Sequence, residues 1–396
     1  GLTQHPNAVG NVQSIVNFLM LLGNLGRPGA GACPVRGHSN VQGDRTMGIT
    51  DHPGAAHLEA LDREFGIRSP TAPGLNAVDA IRAMGAGRAR VFIALGGNFA
   101  AATPDPGFTE AALRRCRLTV QVSTKLNRSH VVAGETALIL PALGRTDLDE
   151  TPAGEQFVTC ENSMGVVSAS HGRLPPAAQD ARSEVAIVAG IATRLFDDDS
   201  DLAARVPWHE LADDYARIRD RIERVVPGFD RFNERLERDG SITLPHAVRD
   251  RREFATASGR AMFTVHPLPP AALPAGRYLM TTIRSHDQFN TTVYSNSDRY
   301  RGIFGTRRVL FMNPDDVRAA GLAAGDEVTL VSEFDGEERT APGFRIVPYE
   351  IPAGCVASYY PETNALIPLG HVAAGSNTPA YKSVVIRLLS SAAVSG

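Results

Sequence analysis

The chain has 396 residues, of which 43% are hydrophobic and 21% charged, and its formal net charge is −3. These values are typical of a soluble globular protein with two or three domains, and they give no basic surface for binding nucleic acid. No apolar run has the length of a membrane span, and the four cysteines form neither a Cys-x-x-Cys pair nor a disulfide framework, so we expect a reducing, cytoplasmic compartment.

The first predicted element is an apolar helix that leads into a polar loop. Apolar residues recur at helical spacing from Asn7 to Leu25 and predict a helix buried on most sides, which the glycines and Pro28 then end. The loop from Gly31 to Gly48 contains two arginines, a histidine, an asparagine and a glutamine. These groups suit a large polar ligand with phosphates or carboxylates, although an ordinary surface loop can have the same composition.

Helix and strand patterns alternate in the next part of the chain. The predicted elements are helices at 75–86 and 109–116 and strands at 90–95, 118–122 and 136–140, the first strand being fully buried. This alternation predicts an α/β, doubly wound sheet whose ligands bind at the carboxyl ends of its strands. The residues at two such ends favour a nucleotide, although Gly-Gly-Asn alone can be a tight turn; they are Gly96, Gly97, Asn98, Ser123, Thr124 and Lys125. The sequence has no Gly-x-Gly-x-x-Gly motif, so we predict no NAD site.

The middle of the chain is predicted to be mixed in structure. A hairpin is expected within 144–172, and helices are expected at 183–196 and 208–226, with 229–236 continuing the second helix. The acidic run Asp197–Asp201 is expected to be solvated. Prolines between 245 and 274 then predict a linker.

Short strands separated by Gly and Pro turns follow the linker and predict a β-barrel. The predicted strands are 278–283, 309–312, 328–332, 344–347 and 355–359. Asn313 is the predicted N-cap of a short helix that ends at Ala320, with Pro314 as its first residue.

Two glycine-rich motifs lie in order near the start of the chain. They are Leu-Leu-Gly-Asn-Leu-Gly-Arg-Pro-Gly at 21–29 and Cys-Pro-Val-Arg-Gly-His-Ser-Asn-Val-Gln-Gly at 33–43. With the C-terminal barrel, they resemble the molybdopterin oxidoreductase superfamily, and within it the formate dehydrogenase-like oxidoreductases. The resemblance implies a doubly wound Rossmann-like domain followed by a C-terminal double-psi β-barrel.

The resemblance also implies how the chain is divided. Residues 1–38 would end an upstream cofactor-binding domain, and 39–150 would form the α/β dinucleotide-binding domain. A mixed, helical segment and linker at 151–274 would precede the molybdopterin dinucleotide-binding barrel at 275–396. The family places the sequence pattern near Gly1 far inside its chains, so we expect a C-terminal fragment that is inactive by itself.

The cofactor implied by the resemblance is molybdenum bis(molybdopterin guanine dinucleotide). An iron–sulfur cluster is expected only upstream of Gly1, and no residue of this chain is expected to ligate the metal. Gly96, Asn98, Ser123, Thr124 and Lys125 would then bind a guanosine. The implied cofactor-binding residues of the barrel, in stretches that could otherwise be surface loops, are Arg284, Ser285, His286, Asn364, Asn377, Tyr381 and Lys382. Two further stretches match the family near the cofactor domains, Thr3-Gln4-His5 and Glu161-Asn162-Ser163, and a plain loop and a solvated turn remain their alternatives.

Arg36 and His38 are the candidate catalytic residues. Arg36 matches the family arginine that faces the metal, where it would hold a small anion such as formate. His38 stands where formate dehydrogenases often have glutamine, and it could tune the pterin, transfer a proton or be structural. The expected function is two-electron redox of a small anion, with an electron-transfer partner subunit. The alternatives are a molybdopterin reductase of another small molecule and a catalytically silent scaffold.

Overall fold

A computed structural model of the chain describes residues 1–196, 200–268 and 273–390. Part of the predicted acidic run, 197–199, and part of the predicted linker, 269–272, lie outside these ranges. Within them, no helix is long and apolar enough to cross a membrane.

Helices predominate before residue 90, helices and strands are mixed between residues 90 and 251, and strands predominate after residue 277. The helices are α1 (Ala8–Leu21), α2 (Val41–Thr46), α3 (Ala55–Phe65), α4 (Ala77–Gly85), α5 (Phe99–Ala102), α6 (Pro106–Arg114), α7 (Glu184–Leu195), α8 (Ser200–Arg205), α9 (Trp208–Asp213), α10 (Tyr215–Val225), α11 (Phe232–Asp239), α12 (Ala247–Arg251) and α13 (Pro314–Ala319). The strands are β1 (Val91–Leu95), β2 (Leu118–Ser123), β3 (Thr136–Pro141), β4 (Glu150–Thr151), β5 (Gly154–Glu155), β6 (Val158–Glu161), β7 (Val166–Ser170), β8 (Ser241–Thr243), β9 (Tyr278–Ile283), β10 (Gln288–Phe289), β11 (Thr292–Val293), β12 (Val309–Met312), β13 (Glu327–Phe334), β14 (Glu337–Pro348), β15 (Cys355–Tyr359) and β16 (Val384–Ser390).

The three predicted α/β strands form a parallel sheet in the order β1-β2-β3. Ile81 of α4 and Leu113 of α6 are fully buried in one apolar cluster with Phe92 at its edge, and Ile187 of α7 packs with Val120 and Val122 in another. Successive side chains of a strand point to opposite faces, so helices pack on both faces of this sheet. The prediction of parallel strands alternating with helices is confirmed.

The prediction that β1 is fully buried is wrong. Val91, Ile93 and Leu95 are 55%, 49% and 53% exposed. The strand is at the edge of the sheet, and the cluster that contains α7 includes residues of β2 and β3 but none of β1. The unbroken apolar run therefore predicted a strand correctly, but it did not indicate that both faces of the strand are buried.

The first helix also differs from its prediction, because α1 is not buried on most sides. Ala8 is its buried residue, whereas Phe18 is 60% and Leu21 72% exposed. One contact of α1 with the rest of the chain is the side chain of Asn17, which donates to the Thr264 carbonyl at 2.7 Å. Packing along a narrow contact leaves the remaining apolar surface of the helix uncovered.

The helix predicted at 208–226 is interrupted. Asp214 has extended backbone angles and accepts a hydrogen bond from the backbone N–H of Ala216, so α9 ends before it and α10 begins after it. The backbone N–H of Tyr215 donates to Gln156 Oε1 at 2.9 Å. Residues 229–236 do not continue this helix, because Arg231 is in the left-handed region and α11 begins after it.

The predicted hairpin region contains two hairpins, β4-β5 and β6-β7. The short strand β8, which the sequence did not predict, pairs with β7. The end of β6 lies near α2. At this point the backbone N–H of Glu161 donates to Asn40 Oδ1 at 2.9 Å.

The predicted C-terminal barrel is confirmed as a closed barrel of six strands in the order β12-β14-β13-β16-β9-β15. Leu310, Leu330 and Phe344 are fully buried in its core. Asn313 caps α13 as predicted, with its side chain accepting from the backbone N–H of Asp315 at 2.8 Å. The sequence analysis missed β16, although this strand pairs with both β13 and β9 and is needed for closure.

The N-terminal segment and the sheet both pack against the barrel. The backbone N–H of Lys382 donates to the Gln4 carbonyl at 3.0 Å, and His5 Nδ1 is 2.7 Å from Ser383 Oγ. The carbonyl of Ala101 in α5 accepts from Asn364 Nδ2 at 2.7 Å. These contacts bring the N-terminal segment, the end of α5 and the barrel loops to one place.

Candidate functional site

A cavity of about 430 Å³ lies where these three parts meet, and we call it the cleft. Its charged lining residues are Arg36 of the 31–48 loop, Arg284 after β9, and Lys382 before β16. Tyr360 and Tyr381 also line it. The sequence therefore predicted four residues, Arg36, Arg284, Tyr381 and Lys382, that the structure brings together from distant positions.

None of the described residues that line the cleft is acidic, so all of its charged side chains are positive. The tyrosines are its other ionisable side chains. The ammonium of Lys382 donates to the carbonyl and the hydroxyl of Thr282. Burial lowers the pKa of Lys382, and the nearby positive charge of Arg284 lowers it further. Guanidinium and ammonium groups in this arrangement can bind phosphate, carboxylate or a ring carbonyl.

The two tyrosines form one wall of the cleft. The hydroxyl of Tyr381 donates to the Ala102 carbonyl at 2.8 Å, and the hydroxyl of Tyr360 lies 3.4 Å from the same oxygen. Burial raises the pKa of Tyr360 to about 12 and also raises that of Tyr381. Both hydroxyls therefore stay protonated at neutral pH, and the wall is aromatic and uncharged.

The loop that carries Arg36 and His38 contacts the barrel. Arg36 Nη2 donates to Gln42 Oε1 at 3.1 Å within the loop, and both Arg36 and His38 are exposed. Asn290 Nδ2 lies 3.1 Å from His38 Nε2, and the His38 ring is edge-on to Phe289 with centroids 5.9 Å apart. These contacts hold the loop, through His38, against the β10-β11 hairpin.

The residues predicted at the ends of the sheet strands lie together but do not line the cleft. Asn98 Oδ1 accepts from Ser129 Oγ at 3.1 Å, and Ser123 Oγ donates to the Lys125 carbonyl at 2.9 Å. Gly96 has φ 68°, a conformation that glycine adopts most easily. With Thr124 they form a polar edge at the carboxyl ends of β1 and β2, and its nucleotide stays a prediction.

The remaining predicted barrel residues are not part of the cleft lining. Ser285 is buried, and its Oγ accepts from Arg307 Nη1 at 2.5 Å. His286 packs against Tyr300 with ring centroids 3.9 Å apart. Asn364 is buried against the end of α5, whereas Asn377 is exposed with φ 51°. Their contacts with a cofactor stay a prediction.

Several cleft residues were missed by the sequence analysis or not chosen as candidates. Gln4 lines the cleft and belongs to the Thr3-Gln4-His5 stretch, whose family match was a usable signal. No comparable sequence signal marked Tyr360 or Asn290 as a site residue. Each follows a polar or aromatic residue in a segment that has no periodic pattern. Their place in the cleft depends on the barrel.

A second cavity, of about 470 Å³, adjoins the same loop, and Arg36 lines it as well as the cleft. His38, Arg145 and Glu161 also line this second cavity. Arg145 donates to Ser39 Oγ at 2.5 Å and to Ser170 Oγ at 3.1 Å, and these two hydrogen bonds hold it in place. The loop thus has a polar cavity on each side.

Across the described residues, no group of three or more His, Cys, Asp or Glu side chains is arranged to hold a metal ion.

Comparison with known proteins gives a domain match and several relatives. The model of the molydopterin dinucleotide binding domain matches residues 278–385, which include most of the barrel. The "Uncharacterized oxidoreductase Rv2900c" of Mycobacterium tuberculosis is 55% identical over 393 residues, which are 98% of this chain and 50% of the relative. "Protein YdeP" of Escherichia coli K12 is 41% identical over 98% of this chain and 51% of its own. The chain thus spans about half the length of these curated relatives.

Two more distant comparisons agree with the domain match. The "Putative formate dehydrogenase YrhE" of Bacillus subtilis is 28% identical over 203 residues, which are 49% of this chain and 20% of that protein. The solved structure of acetylene hydratase from Pelobacter acetylenicus matches with a TM-score of 0.52 and 14% identity over 88% of this chain and 50% of its own, which shows a shared fold alone. From the matched domain and the oxidoreductase relatives, we conclude that the chain belongs to the molybdopterin oxidoreductase superfamily.

Proposed function

We propose that the chain is the C-terminal part of a molybdopterin-dependent oxidoreductase resembling formate dehydrogenase, which carries out two-electron redox of a small anion. The observation that carries the proposal is the convergence of Arg36, Arg284 and Lys382 on one cleft without an acidic lining residue. The proposal includes a Rossmann-like sheet and a double-psi topology for the barrel. It also includes an electron-transfer partner subunit.

The residues present fit molybdenum bis(molybdopterin guanine dinucleotide). Arg284 and Lys382 would hold its phosphates or pterin carbonyls, and Tyr381 offers an uncharged aromatic wall beside them. The polar edge at Gly96, Asn98, Ser123, Thr124 and Lys125 would hold a guanosine. When bound, the molybdenum centre supplies the two-electron redox chemistry, and the protein binds and orients.

Arg36 would anchor the substrate anion through charge-assisted hydrogen bonds, since its guanidinium is exposed to both cavities and is held by Gln42. His38 lies two residues further along the same loop and is the candidate for proton transfer. The contact of Asn290 with Nε2 orients the His38 ring beside Arg36.

A first test concerns the substrate anion. In the cofactor-loaded holoenzyme, we expect Arg36→Ala to raise the KM for formate by about tenfold or more, because one charge-assisted contact is lost. Steady-state kinetics with an artificial electron acceptor measures this change. Unchanged kinetics would remove Arg36 from the site. Absence of formate turnover by the wild-type holoenzyme would instead favour the alternative of another small substrate, which is supported by the size of the two cavities beside Arg36.

A second test concerns the cofactor. The purified 396-residue chain should contain little molybdenum and show no turnover, because it spans about half the length of its relatives and the family resemblance places the metal ligand and one wall of the cofactor cleft outside it. Metal analysis by mass spectrometry measures the molybdenum content. Stoichiometric molybdenum in this chain would contradict the expectation. A loaded holoenzyme without any redox activity would support the alternative of a catalytically silent scaffold.

A further inference from the structure

Glu161 is a buried carboxylate at the end of β6, next to the loop that carries Arg36. The residue is 6% exposed. Its backbone N–H donates to Asn40 Oδ1 at 2.9 Å, which ties the end of the strand to the N-cap residue of α2. The side chain is therefore held close to the loop by its own main chain.

One carboxylate oxygen of Glu161 has no hydrogen-bond partner. Oε2 is shielded from solvent and contacts no donor in the described ranges 1–196, 200–268 and 273–390, and no ion pair in these ranges includes Glu161. The nearby cation Arg145 donates instead to Ser39 and Ser170. A buried acceptor without a donor costs free energy, because it has lost its hydrogen bonds to water.

Glu161 lines the cavity of about 470 Å³ that Arg36 also lines. A third cavity, also of about 430 Å³, is lined by both Gln42 and Glu161. One cavity thus presents a guanidinium that suits an anion and a buried carboxylate that suits a hydrogen-bond donor or a cation. Formate carries no such donor and fills little of this volume.

We propose that Glu161 is a substrate-binding residue that accepts a hydrogen bond from the amino group of a small zwitterion whose carboxylate is held by Arg36. The substrate class is then a small amino acid or ω-amino acid. This inference rests on the proposed function in taking Arg36 as the anchor of the substrate anion. It adds a second, oppositely charged contact that sets which anions bind well.

The test compares amino acids with isosteres in which a methyl group replaces the ammonium. The pairs are glycine with propionate, β-alanine with butyrate, and 4-aminobutyrate with pentanoate, and their increasing length reports the separation of the two contacts. Calorimetric titration of the 396-residue chain should give, for at least one pair, about tenfold tighter binding of the amino member, because its isostere leaves Glu161 unpaired. Equal affinities within every pair would overturn the proposal without any variant.

Two variants assign the preference to Glu161. Glu161→Gln keeps the volume but removes the charge, so the amino member should lose its advantage while its isostere binds as before. Glu155→Gln changes an exposed carboxylate in a neighbouring hairpin and should keep the preference. Thermal unfolding establishes that both variants are folded. A preference retained in Glu161→Gln would overturn the proposal.

The outcomes also separate this inference from the proposed function. Formate oxidation by the holoenzyme with no amine preference in the chain would overturn only the role of Glu161. An amine preference in the chain, together with a full-length protein that never acquires molybdenum, would overturn only the proposed oxidoreductase function.

Discussion

At Lys382, burial and charge act in the same direction. The side chain is half-buried in the cleft, its ammonium donates to Thr282, and Arg284 adds a second positive charge. Burial is the larger cause of its lowered pKa, and Arg284 is the smaller one. A bound anion would raise the pKa of Lys382, because a nearby negative charge favours the protonated ammonium and so opposes both effects.

This lysine gives a pH-dependent prediction. We expect the affinity of the cleft for pyrophosphate to fall as the pH rises through a value below 10.5, the ordinary lysine pKa, because free Lys382 loses its proton earlier than an exposed lysine. Titration calorimetry from neutral pH upward measures the affinity. Lys382→Met should bind more weakly at neutral pH and lose this part of the pH dependence. A fall that begins only at the ordinary lysine value would contradict the prediction.

Among the elements, the loops beside the cleft are joined by Arg307, which precedes β12. Its buried guanidinium donates to Glu362 Oε1 at 2.5 Å, to Gln288 Oε1 at 2.9 Å and to the Tyr360 carbonyl at 2.9 Å. The loops after β9 and β15 are thereby held together, and with them the cleft wall at Tyr360. This network was not predicted, because Arg307 and Arg308 are adjacent residues of the same type and only the packing of β12 decides which of them points inward.

Truncating Arg307 should therefore be costly. We expect Arg307→Ala to lower the free energy of unfolding by about 3–5 kcal/mol, because Glu362 and Gln288 lose a buried partner. The exposed neighbour provides the control, since Arg308→Ala should cost less than about 1 kcal/mol. Urea denaturation followed by circular dichroism measures both variants. Equal losses in the two variants would show that the network does not stabilise the barrel.

At the scale of the whole molecule, α1 and β1 both expose apolar surface. Phe18 and Leu21 of α1 are 60% and 72% exposed, and alternate side chains of β1 are about half exposed. Monomeric proteins seldom leave apolar patches of this kind exposed. Another surface usually covers them. The relatives, of which this chain spans about half, have the additional length to do so.

The exposed surface predicts self-association of the isolated chain. We expect the double variant Phe18→Ser, Leu21→Ser to associate less than the wild type at the same melting temperature, because both side chains are already in water. Sedimentation velocity measures the association, and calorimetry measures the melting. Ile81→Ser is the contrasting variant, since a fully buried side chain would be replaced and the melting temperature should drop. A large stability loss in the double variant would mean that α1 is covered.

The sequence alone determined the parallel strands, five of the six barrel strands, the Asn313 cap and the family resemblance, because each depends on neighbouring residues or on a short motif. The tertiary structure decided the rest. Tertiary packing interrupts the predicted helix at Asp214 and leaves one face of β1 exposed. It also buries Arg307 rather than Arg308, and it places Arg36 and Lys382 in one cleft. Local periodicity reports which residues are apolar, whereas burial, charge pairing and cavities depend on which distant segments pack together, and only the folded chain specifies that.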